Sequence, residues 1–592
     1  MACYLDEEVA PERLQSALDA TLPRFPLFAV SLRRGFFWYY HEKLRGTPRV
    51  EEEGGYPCVM PDALDNDSFL FRVLYRHRRI SVEFFHSLAD GTGAMAFLKA
   101  LVAEYLQQGG IAVPAGGGIL DRREPPDPEE AEDAFRRYAG SAEGGSFRET
   151  QAWELSREAL PLPYLRVTHG IVDSAALSAL AKSRGVTITA LLVALLQLSF
   201  DAVQRDDEGI PQRPVKVSIP VNMRKFHPSK TLRNFSLFTN AALPLSEYPP
   251  SLDEALAAVA AAMSHGLDPA VLDLMMSMNV GAELSPALKP VPLFLKRAAL
   301  KAANSLVGEN QFTASLSNIG LVELPAEMQK RITRFDFVIG RSRKANVNCG
   351  VVGYAGKVVI TLSGSIAERD VEEGFFSRLR GLGIDVAVES SEGGEPGDDG
   401  PYPALTMPPP ATQRLKAADR AVAALSLFLS AFLGFLNLLG PSSGPWSPYA
   451  IGAILGAWAI WRLPRAMPKP RFQYAVVLVE AVALGYLGLV AILGRGAAWY
   501  FGYLFPSVVL ASATTLAGAA LARKRPFKKS YVPLALNLIL GVLCFPVAAI
   551  AGPSVDHVLP GIVFFLSASG LIAIAYLGRK WWKNELRRKL HL

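Results

Sequence analysis

Phe85-His86-Ser87-Leu88-Ala89-Asp90-Gly91 places a histidine, an aspartate four positions on and a glycine directly after it where a β-rich run meets a helix-forming run. Such a histidine can present its ring at the mouth of a cleft. Because imidazole titrates near neutrality, it suits taking a proton from a hydroxyl or amine and returning one to a departing thiolate. Asp90 does not share a helix face with His86, since a turn intervenes. Its expected work is to fix the loop through a buried ion pair, while Gly91 and Gly93 let the backbone bend and approach closely. On residue types alone, HxxxDG describes a structural histidine at a strand end as well as a catalytic one. His77 and His227 lie in polar turns beside Arg or Lys and are expected to be solvated, and His265 falls in a helical stretch. Cys3, Cys58, Cys349 and Cys544 are far apart with no CxxC or zinc-like spacing, so neither a disulfide framework nor a metal site is expected. No GxSxG segment or Cys/His arrangement points to a covalent acyl-enzyme.

The elements that must hold His86 can be read on either side of it. Leu70 to Tyr75 and Ile80 to Phe85 flank His77-Arg78-Arg79 and predict a hairpin; Ala94 to Leu106 predicts a helix after a Gly-rich corner. Earlier, Pro11 to Leu22 has proline in its first turn and Leu14, Ala17, Leu18 and Thr21 on one stripe, the pattern of an amphipathic helix. Gly35 to Tyr40, GFFWYY, predicts an aromatic strand. Residues 108–160 are rich in Gly, Pro and acids and predict an exposed connection with one short helix, dividing a first lobe (1–107) from a second (161–389). In the second lobe the expected elements are a strand at Leu165 to Val172, a helix at Ala175 to Ser183 and a long apolar helix, Ile188 to Val203, N-capped by Thr187. Further strands are expected at Val215 to Ile219, Thr313 to Leu316 and Lys357 to Leu362. This alternation predicts a mixed α/β protein. Residues 390–413, containing SSEGGEPGDDG and MPPPATQ, have linker composition.

FHSLADG is similar to the HHxxxDG signature of the chloramphenicol acetyltransferase-like superfamily, which includes condensation domains, wax ester synthases and alcohol acetyltransferases. PVKVSIPVNMRKFHPSKTLRNFSLF and FTASLSNIGLVELP resemble second-lobe segments of the alcohol acetyltransferase branch. So do RFPLFAVSLRRGFFWYY early in the chain and GKVVITLSGSIAERDVEEGFFSRL later, and the four occur in family order over about residues 1–388. The resemblance implies an α/β two-lobed chloramphenicol acetyltransferase-like fold with a channel between the lobes, His86 midway as the catalytic base and Asp90 mainly structural. It implies transfer of an acyl group from acyl-CoA, acetyl-CoA above all, to a hydroxyl without an acyl-enzyme. Candidate oxyanion donors are a backbone N–H near Gly91 to Gly93 and the side chain of Ser317 or Asn318 in SNIG, the latter two competing with a turn that holds the lobes together. Arg224 is expected to pair with Asp90, the alternative being contact with a CoA phosphate. Three departures stand out. Phe85 replaces the first histidine of the doublet, the DFGWG segment of the plant branch is missing, and only MACYLDEEVA precedes Pro11, where the family has a strand.

The C-terminal third differs. From Ala411 on, nineteen Lys and Arg stand against Asp419, Glu480, Asp556 and Glu585, a net +15, so the first 410 residues carry −9 within the whole-chain +6. This basic excess lies beside apolar runs, which argues against nucleic acid as a partner and for membrane topology. Ala421 to Leu439, Ser447 to Trp461, Tyr474 to Leu493, Trp499 to Leu521, Tyr531 to Ala551 and Val558 to Leu577 each approach the ~20 residues that cross ~30 Å of hydrocarbon. Residues 414–592 are therefore expected to form an all-α polytopic membrane bundle of six helices. Lys and Arg cluster before the first run, between the second and third, between the fourth and fifth, and after the sixth; the other loops carry only Arg495. Both ends are thus expected on the cytoplasmic side of the cell membrane. The acidic start lacks a basic region followed by an apolar one, so the catalytic lobes are expected in the cytosol. Glu480 is the one acid inside an expected span, where a lipid or proton role competes with packing against Asn437 or Asn537. Together these readings predict a membrane-tethered acyl-CoA:alcohol O-acyltransferase, with acyl-CoA, membrane lipids and a hydrophobic or lipid-linked alcohol as partners. The alternatives are a transporter or flippase with a fused modifying domain, and a non-catalytic condensation-like binding module.

Overall fold

The structure, a computed structural model, describes residues 1–58, 69–114, 116, 118–140, 150–155, 157, 159–160, 164–207, 212–285, 289–293, 295–297, 311–342, 345–391, 411–439, 447–462, 472–494, 496–522 and 527–577. It forms two compact units, Met1–Met407 and Pro408–Leu592. Their boundary falls within the expected linker, most of which lies outside the described residues.

In the first unit β1 (Ala2–Leu5) leads to α1 (Pro11–Thr21), whose buried stripe is Leu14, Ala17, Leu18 and Thr21. A strand is therefore present before the first helix, within the segment MACYLDEEVA where the sequence shows none. GFFWYY is not one strand: β2 (Val30–Arg34) and β3 (Tyr39–Lys43) form a hairpin that turns through it. Gly35 closes that turn with its N–H on the Trp38 carbonyl at 2.8 Å, and a Cβ there would lie 2.5 Å from the same oxygen. After the short β4 (Glu51–Glu52) come β5 (Phe71–Arg76) and β6 (Arg79–Phe84), joined at His77, which takes a positive φ of 47°. The helix α2 (Gly91–Gln108) follows.

The expected exposed connection is only partly so. It contains the helix α3 (Ala134–Tyr138), but Glu130 is buried in a two-point ion pair with Arg24 at 2.6 and 2.7 Å. Trp153 and Leu155 enter the second-lobe core, Trp153 being 2% exposed, its large apolar indole packing edge-on against Phe200, and Ala152 beside them is buried.

The second lobe then runs β7 (Arg166–Asp173), α4 (Ser174–Ser183), α5 (Ile188–Asp206), β8 (Val215–Asn222), β9 (Ser236–Leu243), α6 (Leu252–Gly266) and α7 (Pro269–Leu284). It continues through β10 (Ala314–Leu321), β11 (Ile332–Asp336), β12 (Val347–Tyr354), β13 (Lys357–Gly364), a helix over Asp370–Gly381 and β14 (Ala387–Ser390). Thr187 caps α5 by accepting from the Ala190 N–H at 3.1 Å. That helix is apolar nearly all round because it is enclosed between the sheet and other helices.

Two main sheets result, ordered β11-β1-β6-β5-β4 and β14-β7-β13-β12-β10-β8-β9. In the first, β1 is antiparallel to both neighbours, with Cys3 opposite Ile80 and Phe335. One strand from the second half of the chain thus completes the first sheet. In the second, β10 lies parallel to both β8 and β12.

The second unit is helical over Ala411–Leu439, Ser447–Arg462, Phe472–Leu493, Phe505–Ala522, Phe527–Ile550 and Val558–Leu577, matching the six apolar runs. The fourth run begins with a helical turn at Ala497–Trp499 and a π-helical turn over Tyr500–Leu504. Among the described residues six helices are long and apolar enough to cross a membrane. Five belong to this unit, where Ser447–Ile460 is a shorter apolar helix; the sixth is Ile188–Asp206, which is buried inside the first unit.

Candidate active site

His86 sits on the corner between β6 and α2, and two sets of contacts fix that corner. On the strand side, Phe85 donates its N–H to the Leu70 carbonyl and accepts from Leu88 N–H, both at 2.8 Å, forming a turn with His86 and Ser87 at its exposed tip. On the helix side, Asp90 is the N-cap of α2. Its Oδ1 accepts from the N–H groups of Thr92 and Gly93 at 3.1 Å, and its Oδ2 accepts from Arg224 Nη1 at 2.7 Å and Phe235 N–H at 2.9 Å. A buried carboxylate with four donors is fully engaged, so the geometry gives Asp90 a positioning task. Beneath the corner, Phe97 of α2 packs edge-on against Phe71 and Phe84 of the hairpin, at ring centroid distances of 5.2 and 5.7 Å.

Arg224 follows β8 and spends its remaining donors on the loop that faces His86. Nε and Nη2 reach the Thr231 carbonyl at 3.0 and 2.8 Å, Nη2 reaches the Arg233 carbonyl at 2.7 Å, and Nη1 reaches Asn222 Oδ1 at 3.2 Å. Of its two expected roles it fills the structural one, leaving no donor for a phosphate. Gly93 is needed where that loop crosses α2, since a Cβ would lie 2.1 Å from the Leu232 carbonyl oxygen. Gly91 differs: a Cβ there would meet Ile319 and Met1 only at 3.7 Å.

The loop brings Asn234 to the histidine, with its Nδ2 3.4 Å from His86 Nδ1. The Asn234 amide is oriented by Ser236, whose Oγ and N–H donate to Asn234 Oδ1 at 2.8 and 3.3 Å. An N–H therefore points at Nδ1. Among the described residues His86 Nε2 has no hydrogen-bond or ion-pair partner.

Of the oxyanion candidates, the Thr92 and Gly93 N–H groups are taken by Asp90, leaving Gly91 N–H at the helix start. In β10, Ser315, Ser317 and Ile319 share one face, and Ile319 packs on the first-lobe core beside Gly91. Ser317 is half-buried on that face, with no partner among the described residues. Asn318 points the other way, donating to Thr189 Oγ1 at 3.0 Å and accepting from Gly320 N–H at 2.8 Å, so it forms the turn and not the oxyanion site.

The other histidines divide. His227 is not merely solvated: it pairs with Asp273 at 2.6 Å under the Tyr138 ring. His265 lies in the last turn of α6. His169, which sequence patterns do not single out, is fully buried in β7, with Nδ1 2.9 Å from Thr361 Oγ1 and Nε2 3.4 Å from Asp336 of β11. Burial, the largest influence, pushes its pKa down to about 4 against the pull of Asp336. In the second unit Glu480 is bound by Asn537, whereas Asn437 accepts from Ser447 N–H at 2.7 Å. Among the described residues no group of three or more His, Cys, Asp or Glu is placed to hold a metal ion.

Residues 402–592 match a family model described as a family of unknown function (DUF6320). No curated protein matches the chain. Among solved structures, polyketide synthase associated protein 5 from Mycobacterium tuberculosis is similar over 64% of this chain and 92% of its own, at 14% identity and a TM-score of 0.42. The epimerization domain from the third module of tyrocidine synthetase B is similar over 64% and 90%, at 9% identity and a TM-score of 0.41. The first condensation domain of the CDA synthetase is similar over 63% and 89%, at 15% identity and a TM-score of 0.37.

Proposed function

We propose that the first unit is an acyltransferase in which His86 moves the proton, and that the second crosses the membrane six times with both ends cytoplasmic. The observation that carries the reading is the exposed His86 ring on a corner immobilised by buried Asp90 and its ion pair with half-buried Arg224, a costly scaffold for a histidine with no task. His86 Nε2 takes the proton from an acceptor hydroxyl as its oxygen attacks the thioester carbonyl of acyl-CoA, acetyl-CoA being the first donor to test. Collapse of the adduct breaks the C–S bond, and the proton passes from Nε2 to the departing thiolate, giving an ester and free thiol. Gly91 N–H and Ser317 Oγ are the donors proposed for the oxyanion. The apolar second unit supports a hydrophobic or lipid-linked alcohol as acceptor.

Full-length protein reconstituted with lipid extract and radiolabelled acetyl-CoA tests this. Label should enter lipid, and His86→Ala should lower transfer at least ~100-fold with its melting temperature unchanged. Label remaining outside the lipid, or near-wild-type turnover of the variant, overturns the assignment.

A further inference from the structure

Glu480 sits midway along Phe472–Leu493 and is 3% exposed, and Asn537 of Phe527–Ile550 is fully buried against it. Within residues 475–493, 505–518, 533–550 and 558–576 the sequence contains no other Asp or Glu, and no Lys, Arg or His. Asn537 Nδ2 donates to both carboxyl oxygens at 2.7 Å, and the Ser512 hydroxyl of Phe505–Ala522 reaches the same carboxyl. The flanking turns are apolar: Val476 and Val477 on one side, Leu484 on the other, and Leu534 and Leu538 around Asn537. Among the described residues the other titratable groups packed nearby are the Cys544 thiol on the Asn537 helix and Tyr500, whose hydroxyl donates to the Leu484 carbonyl at 2.8 Å; Ser567 faces Gly541 from Val558–Leu577. None is a cation.

Two requirements are therefore unmet at this point. A carboxylate in apolar surroundings, offered only neutral donors, lacks a compensating positive charge. Asn537 Oδ1, buried with no hydrogen-bond partner among the described residues, lacks a donor. A single proton meets both. On Glu480 it removes the charge, and the acid O–H can then donate to Asn537 Oδ1 while the amide N–H donates to the acid carbonyl. A one-donor clasp thereby becomes a two-point acid–amide pair. The conversion takes up one proton, releases nothing else and turns the two side chains against each other.

We propose that Glu480 and Asn537 form an exchangeable proton site within the helical unit, linking proton binding to the fit of Phe472–Leu493 against Phe527–Ile550. This does not depend on the acyltransferase reading and is tested separately. Full-length protein in detergent is titrated with acid in an infrared cell, in water and in deuterated water. The expected signal is a carboxylic-acid C=O band that grows on acidification, shifts down in deuterated solvent and is lost in Glu480→Gln. Asn537→Leu, which keeps the carboxyl and removes its partner, should move the band upward and displace its midpoint, and so serves even where Glu480→Gln does not fold. The proposal is overturned if no Glu480-dependent acid band arises at any pH where the chain stays folded, or if Asn537→Leu leaves band and midpoint unchanged. A carboxylate signal that responds to sodium and not to acid overturns it in favour of a metal cation.

Discussion

At the scale of single residues, the hydrogen on His86 is governed by Asn234. With an amide N–H aimed at Nδ1, the neutral ring carries its proton on Nε2, whereas the proposed base needs a lone pair there. At 3.4 Å the contact is long and easily surrendered to the other tautomer. A carboxylate in place of the amide would accept from Nδ1–H and fix the productive form, so Asn234→Asp should raise turnover by about tenfold, the lower end of the about 1.5–3 kcal/mol a charge-assisted bond is worth. Nitrogen NMR of the ring should show the exchanged tautomer, and a loss of activity with Nε2 still protonated would sink the argument. Asp90→Asn is expected to behave differently, because it leaves Arg224 in place with its partner's charge removed. Melting should fall with activity, by a loss of about 3 kcal/mol; an unchanged melting temperature would instead give Asp90 a direct chemical part. His86, Asp90 and Arg224 could be found in the sequence because a motif and a charge marked them. Asn234 could not, since nothing in NFS announces that Ser236 will orient its amide toward a histidine 148 positions away.

At the scale of elements, the corner depends on one close approach. Gly93→Ala must drive a Cβ into the Leu232 carbonyl and push the Asn234 loop off α2, so a loss of about 2 kcal/mol is expected, together with lowered activity. Gly91→Ala, two residues earlier, should leave stability within about 0.5 kcal/mol of wild type, since its Cβ has room. Equal losses in the two variants, compared by thermal melting, would contradict the crossing geometry. Both glycines look alike in sequence; only the loop from β8 to β9 distinguishes them. Local patterns served where the partner was near. The β5–β6 hairpin, the Thr187 cap and the stripe of α1 follow from neighbouring residues, whereas the turn inside GFFWYY depended on a glycine among strongly β-forming aromatics. Buried His169 has a different consequence. Its folded-state pKa of about 4 lies below the ordinary 6.5, so between these values the unfolded chain binds more protons. Stability should therefore be fully present above pH 6.5 and fall on acidification toward pH 4, by up to about 1.4 kcal/mol per pH unit, and His169→Gln should flatten that part of the melting-versus-pH curve.

At the scale of the whole molecule, the two halves of the chain were unequally legible. Long apolar helices are written in one dimension, as apolar length and flanking charge, and all six runs match helices in the structure. The α/β unit depends on pairing between distant strands, and the return of β11 to β1 cannot be read from either strand alone. The same one-dimensional charge pattern makes the topology testable. Basic residues gather in alternate loops, and crossing a bilayer with such a cluster is disfavoured, so an odd number of spans would place one of them outside. Cysteines replacing Lys469, Lys528 or Lys589 one at a time should resist a membrane-impermeant thiol reagent in intact cells, and those replacing Ser443 or Ser554 should react. Background labelling should be low, because Cys3, Cys349 and Cys544 are buried and Cys58 is half-buried. Permeabilised cells supply the control, since all three lysine positions should then become reactive. Labelling at position 528 before permeabilisation would break the proposed six-span arrangement, and with it the proposed cytoplasmic placement of His86, on which the proposed use of acyl-CoA rests.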